Sequence, residues 1–137
     1  MANTLYEKAR RLFLSGQIDW STANVSLLLI DSTKYTPNFA DHTTLVNIPE
    51  AARIGSPGTL TGKVIVGNAC DADDLILEKV TGPAIGAQVI YIDTGDESTS
   101  TLIQYMDKGK GYPTVPNGGD IKIIWDDGPY KIFTVPK

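Results

Sequence analysis

The sequence has a single cysteine, Cys70, among its 137 residues, so no disulfide can form within the chain. Such a protein needs no oxidising compartment in order to fold. The chain also has a single histidine, His42, which lies in a polar stretch. Because a catalytic thiol needs a neighbouring base, we interpret Cys70 as a small buried apolar residue rather than a nucleophile.

Long hydrophobic runs are also lacking. No apolar run is longer than Leu27–Ile30, which is far too short to cross a bilayer. The N-terminal segment has no continuous apolar region and carries Glu7, Lys8 and Arg10, unlike a secretory signal peptide. We therefore expect the protein to be made and kept in the cytosol of its producer, or to be released by lysis.

Positive charge is not in excess. The formal net charge is −4 and the isoelectric point is near 4.8, which argues against nucleic-acid binding through phosphate neutralisation and, more weakly, against an anionic membrane surface. The chain is 42% hydrophobic and 20% charged, an ordinary globular composition. We expect one domain over residues 1–137, with neither nucleic acid nor membrane as a partner.

Short apolar runs separated by turn residues dominate the chain and predict β-strands. The nearly continuous apolar run Val25–Ile30 indicates a strand buried on both faces, with one face on a partner sheet and the other under an N-terminal helix. Lys63–Asn68 and Asp74–Val80 are expected to pair with each other. Four more runs follow at Ala87–Ile92, Thr101–Met106, Ile121–Trp125 and Lys131–Val135. The predicted fold is mainly β, an antiparallel β-sandwich or jelly-roll-like barrel with one N-terminal α-helix.

The predicted helix covers about residues 4–14. Thr4 and Glu7 have the spacing of a capping box, and Gly16 supplies a stop. One face carries the apolar residues Leu5, Ala9, Leu12 and Phe13. The helix either packs as a lid on its own sheet or docks against a partner subunit through its basic side chains.

The segment Arg53–Lys63 is rich in glycine and proline and is predicted to form turns. It includes Gly58, Gly62 and Lys63, which have nearly the spacing of a phosphate-binding loop. That loop requires one more residue between the glycines and a serine or threonine after the lysine, whereas Val64 follows here. We therefore do not expect nucleotide binding.

Acidic residues cluster in turn-like sequence. Asp93–Ser98 is expected to form a hairpin turn capped by aspartate side chains, and Asp126–Gly128 has an Asp-Gly hairpin signal. No cluster has the EF-hand pattern for calcium, and solvated carboxylates lack the raised pKa that a glycosidase acid needs. We expect no metal, no cofactor and no enzymatic activity, despite Asp71, Asp73, Asp74, Asp93, Asp96 and Glu97.

A long polar segment, about residues 31–53, connects two predicted strands, with a short helical turn expected within residues 44–52. Loops of this length without regular structure are usually functional or disordered. Its apolar residues Tyr35, Phe39 and Leu45 have no periodic place in a strand or helix. We predict that they contribute to an interface with a partner; alternatively, they fold back on the sheet as a lid.

Several stretches resemble a family of small virion proteins of tailed bacteriophages. They are YEKARRLFLSGQIDW, AARIGSPGTLTGK, DADDLILEKVTG and YIDTGDESTSTLIQYMDKGKGYPTVPNGGDIKIIWDDGPYKIF. The resemblance implies a decoration or cement protein on the outer surface of the phage head, with the major capsid protein as partner and self-association as a homotrimer. A tail or head–tail connector component is the alternative within the same family.

A carbohydrate- or receptor-binding β-sandwich is the second class of function that the sequence leaves open. Aromatic side chains exposed on one sheet face would favour it. The candidates are Trp20, Tyr91, Tyr105, Tyr112, Trp125 and Tyr130. Tyr91 and Trp125 lie within apolar runs, so we expect both in the core.

Overall fold

The computed structural model describes residues 4–66, 69–106, 115–123 and 133–134. Antiparallel strands predominate, with one N-terminal helix, so the predicted fold class is confirmed. The elements are β1 (Thr4–Leu5), α1 (Glu7–Leu14), β2 (Val25–Ile30), two 3-10 helices (Leu45–Asn47 and Glu50–Ala52), β3 (Arg53–Thr59), β4 (Val64–Val66), β5 (Ala69–Asp71), β6 (Leu75–Leu77), β7 (Ala87–Ile92), β8 (Leu102–Met106), β9 (Ile121–Ile123) and β10 (Phe133–Thr134).

A five-stranded antiparallel sheet in the order β1-β8-β7-β2-β3 forms the centre of the molecule. A three-stranded sheet, β10-β5-β4, and a two-stranded sheet, β6-β9, accompany it. β2 pairs with β7 over its whole length, from Val25 opposite Ile92 to Ile30 opposite Ala87. The two strands predicted as the most continuous apolar runs therefore lie side by side in the middle of the sheet.

The central sheet is buried on both faces, as predicted for β2. Every residue of β2 is buried. Val25, Leu27 and Leu29 belong to one hydrophobic cluster, and Leu28 and Ile30 belong to a second. Successive side chains of a strand point to opposite faces, so each cluster covers one face of the sheet.

The first face of the central sheet lies under α1 and the two small sheets. Ala9 of α1, Cys70 of β5, Leu77 of β6 and Ile123 of β9 all belong to the same cluster as Leu27. The prediction that the helix covers the opposite face from the partner sheet is therefore wrong. The helix and the small sheets share one face, and another part of the chain covers the second.

That second face is covered by residues 31–52, which we call the lid. Tyr35, Leu45, Ile48 and Ala52 are buried against it. The two 3-10 helices lie in this segment, which confirms the helical turn predicted within residues 44–52. A loop that buries four apolar side chains is part of the core and stabilises the sheet it covers.

Two local predictions are wrong. The helix begins at Glu7 rather than at Thr4, because Thr4 and Leu5 pair with β8. Tyr6 is the N-cap residue. The backbone N–H of Glu7 donates a hydrogen bond to the carbonyl of Phe39 at 2.9 Å. Arg53–Thr59 is a strand rather than a set of turns. This strand, β3, lies at the edge of the five-stranded sheet and has only β2 as a neighbour within it. Pro57, which has no backbone N–H to donate, is therefore tolerated there.

The pairing of the small strands also differs from the prediction. β4 pairs with β5, and β6 pairs with β9, so the described residues of the segments 63–68 and 74–80 do not pair with each other. Of the four runs in the C-terminal part, Ala87–Ile92 is a strand over its whole predicted length. Thr101–Met106 is strand β8 from Leu102 onward, and Thr101 forms a bridge with Thr44. The structure describes the other two runs only in part, as β9 and β10, and the Asp126–Gly128 turn lies outside the described residues.

The contact between β3 and β6 predicts the effect of enlarging Gly58. A Cβ atom at this position would lie 2.5 Å from Cδ2 of Leu77 and 3.0 Å from Cδ2 of Leu75. Both leucine side chains would have to move, so we expect Gly58→Ala to lower the free energy of unfolding by about 1 kcal/mol. Urea denaturation measures this, with Ser56→Ala on the exposed part of the same strand as control. Equal stability of the two variants would contradict this packing.

Candidate functional site

A chain of hydrogen bonds fastens the lid to the central sheet. The hydroxyl oxygens of Tyr6 and Tyr35 lie 2.7 Å apart, and the Tyr35 hydroxyl lies 3.0 Å from Nδ1 of His42. Tyr35 and His42 belong to the lid, whereas Tyr6 lies between β1 and α1. The chain therefore joins the lid to the N-terminal segment across a buried aromatic cluster.

The direction of these bonds follows from one backbone contact. The backbone N–H of Asn38 donates to Nδ1 of His42 at 3.1 Å, so this nitrogen is an acceptor and carries no proton. The Tyr35 hydroxyl must then donate to His42, and the Tyr6 hydroxyl donates to Tyr35. Burial raises the pKa of Tyr6 strongly and raises the pKa of Tyr35 to about 12. The bond between them raises the pKa of Tyr6 further and lowers that of Tyr35, as expected when Tyr6 is the donor.

The three predicted interface residues lie close to this chain. Tyr35 is 4% exposed and Leu45 is 7% exposed. Phe39 is partly buried and packs on Tyr6 with ring centroids 5.1 Å apart. Their positions correspond to the alternative in which the loop folds back as a lid. Contact of these residues with a partner stays a prediction, and as placed here Tyr35 and Leu45 offer almost no surface for it.

Arg53 fastens the other end of the lid, a role that sequence reasoning missed. One of its terminal nitrogens, Nη2, donates to the carbonyls of Leu45 and Ile48, at 2.9 Å each, and its Nε donates to Ile48 at 3.2 Å. Nη1 and Nη2 also bind the two carboxylate oxygens of Glu97 at 2.9 and 3.0 Å. The planar guanidinium suits this double use. No local signal reveals it, because every partner is distant or belongs to the backbone.

Glu97 lies in the hairpin loop between β7 and β8, which has the predicted aspartate-capped turns. Oδ1 of Asp93 accepts a bond from the N–H of Gly95 at 2.9 Å, and Oδ1 of Asp96 accepts one from the N–H of Ser98 at 2.9 Å. These bonds hold the loop in a fixed shape. The loop can therefore present Glu97 to Arg53.

A groove of about 470 Å³ lies between this hairpin loop, the lid and β3. Leu28, Leu45 and Tyr91 contribute apolar surface to its lining, and Gly55 and Pro57 line it from β3. Four carboxylate residues also line it, namely Glu50, Asp93, Asp96 and Glu97. We call this feature the acidic groove.

Two carboxylates of the acidic groove, Asp96 and Glu97, have contacts that favour their charged form. Both therefore stay ionised well below neutral pH. Hydrogen bonds from the backbone and side chain of Ser98 lower the pKa of Asp96. The bond from Arg53 and the positive charge of that residue lower the pKa of Glu97. Among the described residues of the lining, Arg53 is the one that is cationic, and it is already bound to Glu97. The groove therefore suits a ligand or partner segment that is positively charged and partly apolar.

The remaining candidate residues lie elsewhere. Cys70 is buried, and this burial raises the pKa of its thiol to about 12. Trp20, Tyr91 and Tyr105 are buried in the core, which confirms the prediction for Tyr91. Tyr112, Trp125 and Tyr130 lie outside the described residues. Within the part of the chain that the structure describes, no group of three or more His, Cys, Asp or Glu side chains is placed to hold a metal ion.

No protein-family model matches the sequence, and no curated protein matches it. Among the described residues, the structure has no helix with both the length and the apolar character needed to cross a membrane.

Substitutions in the hydroxyl chain should reveal its direction. Tyr35→Phe leaves the fully buried Tyr6 hydroxyl without its acceptor, so we expect a loss of about 1–3 kcal/mol in the free energy of unfolding. Tyr6→Phe leaves Tyr35 bound to His42 and should cost about 1 kcal/mol or less. The double variant should cost less than the sum, because no hydroxyl is then orphaned. Urea denaturation gives all three values, and strictly additive losses would contradict this chain of hydrogen bonds.

The Arg53–Glu97 pair predicts a pH-dependent effect of Glu97→Gln. Since the pKa of Glu97 is lower in the folded protein, the unfolded state binds more protons as Glu97 titrates, and the stabilisation is complete only above the unfolded pKa. Glu97→Gln should therefore lower the melting temperature at about pH 7 and have little effect at about pH 3. The effect should be modest because Glu97 is exposed. Glu78→Gln, on another exposed carboxylate, is the control; the same pH profile for both variants would refute the pairing.

Proposed function

We propose that the protein is a non-enzymatic structural protein of a tailed-phage particle, which binds the outer surface of the head and stabilises it. The resemblance of the sequence to small phage virion proteins motivates the proposal. In this role the major capsid protein is the partner, and the protein acts as a homo-oligomer, a trimer at a threefold or quasi-threefold position.

One observation carries the proposal: the side chains most able to do chemistry are used to hold the lid in place. Arg53 binds two backbone carbonyls and Glu97, and His42 accepts bonds from Tyr35 and from the backbone of Asn38. Catalytic groups need a polar atom directed at a substrate, whereas these atoms are directed at the fold. The lid is therefore held firmly on the sheet and presents a fixed outer surface. Such a surface suits a protein that functions by binding a partner.

The lid also presents an apolar side chain outward. Val46 is 59% exposed, next to the buried Leu45 in the first 3-10 helix. Its backbone is held by the capping box of Thr44 and Asn47 and by Arg53, which binds the neighbouring carbonyls. A fixed apolar contact among polar groups is typical of the centre of a small interface. Val46 therefore joins Phe39 as a candidate contact of the lid.

Binding to particles tests this surface. We expect Val46→Asp to weaken binding of the purified protein to heads that lack it by at least about tenfold, because a charge would be buried in the contact. Cosedimentation measures the binding, and unchanged urea denaturation shows that the fold is intact. Val115→Asp, which changes an exposed valine outside the lid, is the matched control.

A reconstruction of the particle tests the location. Density for this protein on the outer head surface, with the lid towards the capsid, is the expected result. Density in the tail or at the head–tail connector would overturn the proposed position, and no binding by the wild type to heads would overturn the proposed role.

A further inference from the structure

The acidic groove has a counterpart on the same molecule. Helix α1 carries Lys8, Arg10 and Arg11 together with a single acidic residue, Glu7, in an otherwise acidic protein. Arg11 has a side chain that is 63% exposed, and Leu14, one turn further on, is 62% exposed. Residues three and four apart lie on one side of a helix. Glu7, Arg11 and Leu14 therefore form an exposed strip that is basic at its centre and apolar at its end.

We propose that this strip of one copy docks into the acidic groove of a second copy of the same chain. The charges are complementary, since the groove is lined by Glu50, Asp93 and Asp96 besides the paired Glu97. The apolar parts are complementary as well, because Leu14 can lie against the apolar lining near Pro57. The occupant of the groove is thus a basic and apolar helix end.

The ion pair that Arg11 makes within its own helix does not prevent this exchange. Arg11 binds Glu7 at 3.1 Å, with both side chains more than half exposed. Surface pairs four residues apart contribute little, since both charges remain in water. The groove offers Arg11 several carboxylates in place of one, so the guanidinium can change partner at small cost.

The positions of the two surfaces fix the type of contact. The buried side of α1 belongs to the cluster on the first face of the central sheet, whereas the groove is lined by Leu45 and Tyr91 from the cluster on the second face. A contact between two different surfaces is head-to-tail, and its repetition closes a ring or continues as a filament. The contact rests on the proposed function for its biological setting, where a ring of three would match a threefold site.

Charge exchange tests the contact with the protein alone in solution. In sedimentation velocity at low salt, we expect the wild type to self-associate and salt to weaken this association. Arg11→Glu and Glu50→Arg should each weaken it by about tenfold or more, because like charges then face each other. The chain with both changes should regain association. Lys122→Glu and Glu78→Arg, exposed charges outside both surfaces, are the matched controls.

Mixing the two single variants distinguishes a head-to-tail contact from a symmetric one. In the mixture every contact between unlike chains pairs opposite charges, whereas every contact between like chains remains repulsive, so we expect association that neither variant shows alone. A head-to-tail ring of three must include one contact between like chains, so the mixture should form no such ring, whereas a symmetric contact would give the same dimer as in the wild type.

Three results would overturn the proposal: a wild type that stays monomeric up to about 1 mM, single reversals that act no differently from the controls, or a double variant that is not restored. Particle binding is measured separately. Loss of head binding by Glu50→Arg without any change in self-association would mean that a basic segment of the particle occupies the groove instead. Failure of Val46→Asp to affect head binding would count against the proposed function and leave the contact between copies standing.

Discussion

The structure depends on a central pair of strands that is apolar on both sides. β2 and β7 present buried side chains to both faces of the five-stranded sheet. A sheet of this kind is stable only if each face is removed from water. The helix and the two small sheets provide one cover. The second cover is a loop, and the Tyr6–Tyr35–His42 hydrogen bonds and the contacts of Arg53 hold it on the sheet.

A loop is a demanding cover because its backbone groups are not paired with one another as they are in a sheet. Here the lid is secured at both ends. Tyr6, Tyr35 and His42 form a hydrogen-bonded chain at one end, and Arg53 binds the carbonyls of Leu45 and Ile48 at the other. Each contact satisfies atoms that would otherwise be buried without partners, so its loss costs more than one bond. The lid therefore behaves as a structural layer.

The sequence predicts the parts of this fold that depend on local pattern. Val25–Ile30 and Ala87–Ile92 are predominantly apolar runs, and both are strands over the predicted length. The aspartate-capped turn at Asp93–Ser98 follows from side chains that bond to nearby backbone. β3 escapes prediction because an edge strand tolerates Pro57, and Gly55 takes a φ of +67° where the pairing with β2 is irregular.

Contacts between distant segments are the part that local pattern does not contain. The partners of β4 and β6 depend on which segments meet in space, and the same is true of the site. Tyr35 and Leu45 stand out in the sequence as apolar residues that belong to no helix or strand pattern. The sheet that they cover is formed by segments distant in the sequence, so the local pattern does not show where they pack. No sequence pattern identifies the role of Arg53, because that role depends on its contacts with Glu97 and with two backbone carbonyls of the lid.

The division of the molecule into two differently covered faces also places its basic helix and its acidic groove apart. A short helix can cover part of a sheet with few apolar residues and leave its basic residues outward, as Arg11 shows. A loop that covers a sheet brings turns, and turns favour aspartate for the bonds it makes to backbone. The acidic groove and the basic strip of the helix therefore lie on different covers of the sheet. A contact between them would join two unlike surfaces, which makes it head-to-tail.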